Sequence, residues 1–219
     1  MTVRNRAALS IEGLSFRYGR SGAELFGCLD HHFEAGSITA VTGPSGRGKS
    51  TLLYVLGLLL TPSAGDVFLG DRPLSSTSDD ERSAIRAATM GFVFQDAALD
   101  PRRSVLDNVC EPAVYAGLPA ARARVRAAEL VERLAPGVDT RRKPGQISGG
   151  QGQRIAIARA LVNNPSVVLA DEPTGNLDAA NTDVVLALLR DVAAEGAAVV
   201  VATHDPVVSA FADEMLTLS

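Results

Sequence analysis

The nine residues Gly43-Pro44-Ser45-Gly46-Arg47-Gly48-Lys49-Ser50-Thr51 constrain this 219-residue chain more than any other stretch. They fit the spacing GxxxxGK[ST], with an apolar, β-branched run before them, Ile38 to Thr42, and a helix-like run after them, Leu52 to Leu60. Strand, glycine-rich turn and helix in that order make a cradle for polyphosphate. The glycines let backbone N–H groups turn toward an anion, and the helix N-terminus adds about half a positive charge. The candidate phosphate contacts are Gly43, Ser45, Gly46, Gly48, Lys49, Ser50 and Thr51, with Lys49 reaching the terminal phosphates and Ser50 ligating Mg²⁺. The competing reading is a glycine-rich turn that matches by accident. Against it, the chain has only two lysines, Lys49 and Lys143, beside nineteen arginines, and it places one where a compact ammonium is needed.

A second apolar run, Val167 to Ala170, ends in Asp171-Glu172-Pro173. Between parallel strands ligands gather at the carboxyl ends, so both acids are expected to face a nucleotide held by the first loop. Asp171 would hold Mg²⁺ through water and Glu172 would polarise the attacking water. Taken alone, an Asp-Glu pair also reads as a strand-end turn with solvated acids. The phosphate loop tips the balance. A third run, Ala198 to Thr203, ends in His204, which by the same rule lies within hydrogen-bond reach of a terminal phosphate. His31 and His32 are adjacent, would face opposite sides of a strand and cannot chelate one ion together.

These runs, together with Phe92 to Phe94, read as buried parallel strands. Helical periods lie between them, at Ala127, Leu130, Val131, Leu134 and at Val185, Leu188, Leu189, Val192. The alternation predicts an α/β fold. The first third differs: Leu9 to Phe16 and Asp66 to Leu69 are short strand-like pieces with no long helix before Gly36, which suggests a small antiparallel β lobe. From about Ala97 to Gly145 the pattern is mainly helical, with Pro119 placed to start a helix and Pro136-Gly137 to stop one, as in a helical lobe inserted between core strands.

Composition narrows the function classes. With 46% hydrophobic and 21% charged residues the chain can bury a core. Its net charge of −4 offers no global basic field, so no nucleic-acid partner is expected. Leu52 to Leu60 is roughly half the length that crosses a bilayer. Met1 to Arg6 carries two arginines with no apolar stretch after them, so no secretory leader is expected and the location follows as cytoplasmic. Cys28 and Cys110 fit neither a CxxC nor a zinc spacing and read as reduced core residues.

Ile147-Ser148-Gly149-Gly150-Gln151 precedes the helix-like Arg154 to Leu161 and resembles the signature sequence of ATP-binding cassette (ABC) ATPases, with Ile147 in place of the usual leucine. The resemblance spans nearly the whole chain. It takes in the phosphate loop, Gln95, the signature, Asp171-Glu172, the loop Gly175-Asn176-Leu177-Asp178 and His204, in the family's order. Tyr18 matches the aromatic on which adenine stacks, although a surface aromatic of the β lobe would look the same. What the resemblance implies is a P-loop NTPase of the ABC type: a RecA-like core with an antiparallel β subdomain over residues 1–95 and 160–219, and a helical subdomain over about 96–159. It also implies ATP and Mg²⁺ as ligands, a catalytic set of Glu172, His204, Gln95 and Lys49, and metal contacts from Ser50, Gln95 and Asp171. Ser148, Gly149, Gly150, Gln151 and Asp178 would serve the nucleotide held by a second copy of the chain, so that two copies sandwich two ATPs. Small residues at a helix N-terminus expose N–H groups to an anion, which is the physical sense of the signature. The dimer would work on an integral membrane permease, peripheral on the inner face of the cell membrane, with the segment Asp96 to Val109 forming part of the docking surface.

Two departures stand out. The family's SGGQQQR reads SGGQGQR here, so Gly152 is expected to loosen the start of that helix by about 1 kcal/mol or less. Arg102 and Arg103 replace a more apolar mixture. The run Asp171-Glu172-Pro173-Thr174-Gly175-Asn176-Leu177-Asp178 resembles the lipoprotein-release, macrolide-export and cell-division branch, whose members transmit mechanical motion to permeases with large external domains. The alternatives are the ATPase of a solute importer, or an ABC ATPase acting on chromosomes or ribosomes; the chain has neither the long coiled coil nor the second cassette of the latter. It ends at Ser219 with no regulatory domain expected within it.

Overall fold

Buried side chains that alternate between two cores set the architecture of this computed structural model, in which residues 7–19 and 22–219 are described. Along the chain run β1 (Ala7–Arg17), β2 (Glu24–Glu34), β3 (Ile38–Thr42), α1 (Lys49–Leu56), β4 (Ala64–Leu69), β5 (Arg72–Pro73), α2 (Asp79–Thr89) and β6 (Met90–Val93). There follow α3 (Val105–Tyr115), α4 (Ala120–Leu134), α5 (Gly149–Leu161), β7 (Val167–Asp171), α6 (Ala179–Ala194), β8 (Ala198–Ala202), α7 (Pro206–Phe211) and β9 (Glu214–Thr217). One sheet is antiparallel, in the order β2-β1-β4-β5. The other is parallel, in the order β6-β7-β8-β3-β9.

The parallel sheet is the central layer. Val167 and Leu169 of β7, with Ala198, Val200 and Ala202 of β8, pack toward α1 and the antiparallel sheet. Val168, Ala170, Val199 and Val201 pack against α3, α4, α5 and α6 on the other side. A strand covered on both faces is apolar at every position, which is why these runs carry no polar alternation. The sequence-predicted strands and the two periodic helices are therefore present, β6 beginning two residues earlier than the run Phe92 to Phe94. Helix α1 stops at Leu56, short of the predicted Leu60, where Leu58 turns left-handed at φ 58° and the Leu59 and Leu60 N–H groups fold back onto Tyr54 O.

Several elements escape the sequence pattern. Strand β2 is interrupted at Cys28, whose φ of 53° breaks the alternation. That kink also corrects the expectation for its thiol: Cys28 is exposed, and only Cys110 is buried. Helix α2 buries one residue, Arg82, and so shows no apolar period; a capping box between Ser78 and Glu81 and three acids in its first turn start it. The segment Met1 to Arg6, read for a leader, lies outside the described residues.

The start of α5 is well held. Ser148 Oγ accepts from the Gln151 N–H, the Gln151 side chain accepts from the Ser148 N–H, and the Gly152 N–H bonds Ser148 O at 2.8 Å. A Cβ on Gly152 would meet only the Ala97 Cβ, at 4.0 Å. Gly152→Ala is therefore expected to raise the unfolding free energy by about 0.5–1 kcal/mol, read by urea denaturation. A destabilised variant would show that this turn needs glycine itself.

Candidate functional site

All the predicted catalytic side chains follow carboxyl ends of the parallel sheet. Asp171 and Val41 both pair with Ala202, so β7, β8 and β3 end level, with β8 in the middle. The phosphate loop leaves β3, Asp171-Glu172 leaves β7, His204 leaves β8 and Gln95 follows β6 at the sheet edge. Parallel pairing alone makes this convergence, since every strand presents the same end to the same side.

The loop needs its glycines. Gly43, Gly46 and Gly48 have φ of 141°, 79° and 89°, a region that side chains other than glycine rarely adopt. A Cβ on Gly43 would also lie 2.5 Å from the Leu218 carbonyl oxygen. The Lys49 ammonium folds across the loop and donates to Gly43 O at 2.8 Å and Pro44 O at 3.3 Å. Ser45 and Gly46 lie on the exposed tip, and Thr51 is buried in the first turn of α1. The Tyr18 hydroxyl shares a hydrogen bond with Thr51 Oγ1 at 3.1 Å, while its ring meets Phe16 edge-on and is 57% exposed. That leaves an aromatic face beside the start of α1.

Ser50 Oγ donates to Asp171 Oδ1 at 3.0 Å. Burial pushes the Asp171 carboxyl above its ordinary range; the Glu172 charge adds to the shift, and the Ser50 hydroxyl and Lys49 oppose it. An arriving cation would favour the charged form. A hydroxyl beside a carboxylate is an oxygen donor pair of the kind Mg²⁺ takes.

Glu172 sits at φ 44°, a strained conformation for a residue with a side chain, with its N–H held by Ala202 O at 2.9 Å. Its Oε1 lies 2.6 Å from His204 Nδ1 and its Oε2 accepts from Thr203 Oγ1 at 3.3 Å. A carboxylate acceptor requires the proton on Nδ1, which leaves His204 Nε2 facing outward on a side chain 69% exposed. Thr203, itself fully buried, was not singled out by the sequence reading; its only signal is a hydroxyl at the end of an apolar run.

The signature turn lies elsewhere. Ser148 and Gly149 line a cavity of about 290 Å³ with Gln95, Asp96, Asn176 and Leu177, and no residue of 43–51 lines it. Gly150 abuts Asn181 so closely that a Cβ would collide with the amide. Gln151 is turned back into the capping box. Asp178 caps α6 by accepting from the Asn181 N–H at 2.8 Å, so its carboxylate is engaged within its own chain. Gln95 is exposed, near Gly175, and among the described residues no hydrogen bond joins it to Ser50 or Asp171. The structure thus gathers the phosphate loop, Asp171, Glu172 and His204 into one group, with Gln95 between it and the signature turn: Gln95 lines the signature-turn cavity, and its amide and Glu172 both lie within 4 Å of the Cβ position at Gly175.

Comparison with known proteins agrees with this geometry. Residues 28–175 match the family described as ABC transporter. The chain is 42% identical over 218 residues to the lipoprotein-releasing system ATP-binding protein LolD of Paramagnetospirillum magneticum, covering 98% of this chain and 96% of that one. It is 47% identical over 191 residues to the macrolide export ATP-binding/permease protein MacB 1/2 of Paracoccus denitrificans, covering 87% of this chain but 29% of that longer protein. Among solved structures, a dimeric post-hydrolysis state of the ATP-binding cassette MJ0796 bound to ADP and Pi superposes with a TM-score of 0.86 at 34% identity, covering 96% of this chain and 94% of that one. Phosphate loop, strand-end acids and signature turn, on a fold shared over almost its whole length with such cassettes, make this chain a member of the ABC transporter family of ATPases.

Proposed function

We propose that the chain is the ATP-hydrolysing subunit of an export or release system, working as a homodimer on a separate membrane permease. One observation carries the dimer: the open signature turn, through Ser148 and Gly149, lines a cavity to which the chain's own phosphate loop contributes nothing. The Ser148, Gln151 and Gly152 N–H groups are engaged in the cap, but the exposed Gly149 backbone at the helix start suits an anion, and a second copy would supply it. In this reading Gly43 to Thr51 hold the phosphates of one ATP, the Tyr18 face takes adenine, and Ser148 to Gln151 with the Asp178 loop of the other copy close over it. Residues 96–159 act as the helical lobe that carries the signature.

Ser50, Asp171 through water, and Gln95 would hold Mg²⁺, which when bound offsets the charge of the phosphates. Glu172 accepts a proton from the attacking water, held in place by Thr203 and His204. With protons on both ring nitrogens, His204 donates from its outward Nε2 to the terminal phosphate. Lys49 exchanges its two carbonyl bonds for phosphate oxygens. A ligand touching both copies favours the closed dimer by its differential affinity, and hydrolysis removes that preference.

Attachment to a permease is supported by an apolar groove of about 340 Å³ lined by Leu59, Phe92, Phe94, Pro112 and Tyr115. Leu59 is 47% and Tyr115 75% exposed, more than a core needs. Among the described residues no helix is long and apolar enough to cross a membrane. The names of LolD and MacB favour release or export over import. Co-purification from detergent-extracted membranes is expected to yield an integral membrane protein with a large external domain, lost when Leu59 and Tyr115 are both changed to Asp. Recovery of a many-spanning solute importer instead would move the chain to the other branch.

A further inference from the structure

Three bonds from α5 hold the loop around Gln95. On the upstream side, Gln153, 3% exposed, donates from Nε2 to Phe94 O at 3.1 Å. On the downstream side, the Arg159 guanidinium donates to Ala98 O at 2.6 Å and Ala97 O at 2.8 Å. The held segment is strained: Ala97 and Ala98 have φ of 57° and 47°, two successive residues in the left-handed region. Burial pulls the Arg159 pKa below the usual arginine value, with Glu111 opposing, and the carbonyls it bonds are neutral. A desolvated cation spent on two strained carbonyls is poorly explained by stability alone. Gly152 keeps the facing surface of α5 bare toward Ala97, and Asn176 Nδ2 ties the same loop, through Asp96 Oδ1 at 2.8 Å, to the turn that follows Glu172.

We propose that Gln153 and Arg159 are positioning residues that clamp the Gln95 loop to the signature helix, so that Gln95 and the Ser148 turn move as one body. The proposal rests on the reading that Gln95 serves hydrolysis. The guanidinium fork is what makes the clamp stiff, since one planar group meets two adjacent carbonyls at fixed spacing. Loosened, the loop leaves nucleotide binding at Gly43 to Thr51 intact and misplaces Gln95, and misplacement by about an ångström costs on the order of ten- to a hundredfold in rate.

Steady-state ATPase kinetics on the full chain test this. Arg159→Met is expected to lower kcat by about tenfold or more with KM for ATP within about twofold, and Arg159→Lys, which can serve one carbonyl, to recover part of the loss. Combined with Gln95→Ala, Arg159→Met should add little to the loss from Gln95→Ala alone, because both act through one group. Nucleotide-induced melting shifts report whether each variant is folded; should Arg159→Met fail to fold, Gln153→Leu carries the same comparison. A slow Gln95→Ala with a fast Arg159→Met, or losses that multiply in the double variant, overturn the clamp. A Gln95→Ala chain with full kcat overturns the Gln95 reading beneath it.

Discussion

Lys49→Ala is expected to remove most of the rise in melting temperature that ATP produces, while leaving the unliganded melting temperature nearly unchanged. The ammonium bonds only Gly43 O and Pro44 O, at 2.8 and 3.3 Å, in a loop open to solvent, so water replaces it there at little cost. Phosphate has no such substitute. A charge-assisted contact of about 1.5–3 kcal/mol disappears, weakening ATP by about ten- to a hundredfold or more. At a nucleotide concentration that is about 100 times the wild-type Kd, binding stabilises the native protein by about 2.7 kcal/mol, and most of this shift would be lost. Lys49→Arg is expected to fail similarly, because a longer, planar guanidinium carries its charge to a different place from the compact ammonium that the loop holds over Gly43 O and Pro44 O. A Lys49→Ala chain that keeps the full wild-type shift with ATP would move the nucleotide away from Gly43 to Thr51.

Glu172→Gln is expected to separate binding from turnover. Oε1 sits 2.6 Å from His204 Nδ1 and Oε2 takes the Thr203 hydroxyl, so an isosteric amide keeps the position and loses the proton acceptor. Hydrolysis should fall by about 10²- to 10⁴-fold, the usual worth of a general base, with ATP affinity retained. Because the closed dimer is released by hydrolysis, the variant should elute from gel filtration as a dimer in ATP and as a monomer without it. Ser148→Arg in the same background should keep the ATP-induced melting shift and lose the dimer. A Glu172→Gln chain that stays monomeric in ATP, or a Ser148→Arg chain that no longer binds nucleotide, would place both half-sites within one copy.

Much of this site was readable because its parts are local. Residues 43–51 form their cradle from neighbours in sequence, and Asp171, Glu172 and His204 each end an apolar run, so both position and direction follow from a few residues. Strand β2 and helix α2 were not readable for equally local reasons: Cys28 breaks the alternation of one, and the other buries only Arg82. The role of Asp178 as a helix cap is legible in residue type, an acid placed just before the helix that starts at Ala179.

Residue order thus carried the phosphate cradle, the acids, the signature turn and the α/β class, since each depends on backbone geometry and periodicity within one segment. Pairing between distant segments carried the rest. β8 lies between β7 and β3 although β3 is far earlier in the chain, and that insertion brings Thr203 and His204 onto Glu172. The grip of Gln153 and Arg159 on carbonyls 94, 97 and 98 is of the same kind, visible only once α5 has packed beside β6. Backbone carbonyls have no sequence signature, so contacts made to them become known only when the chain has closed on itself.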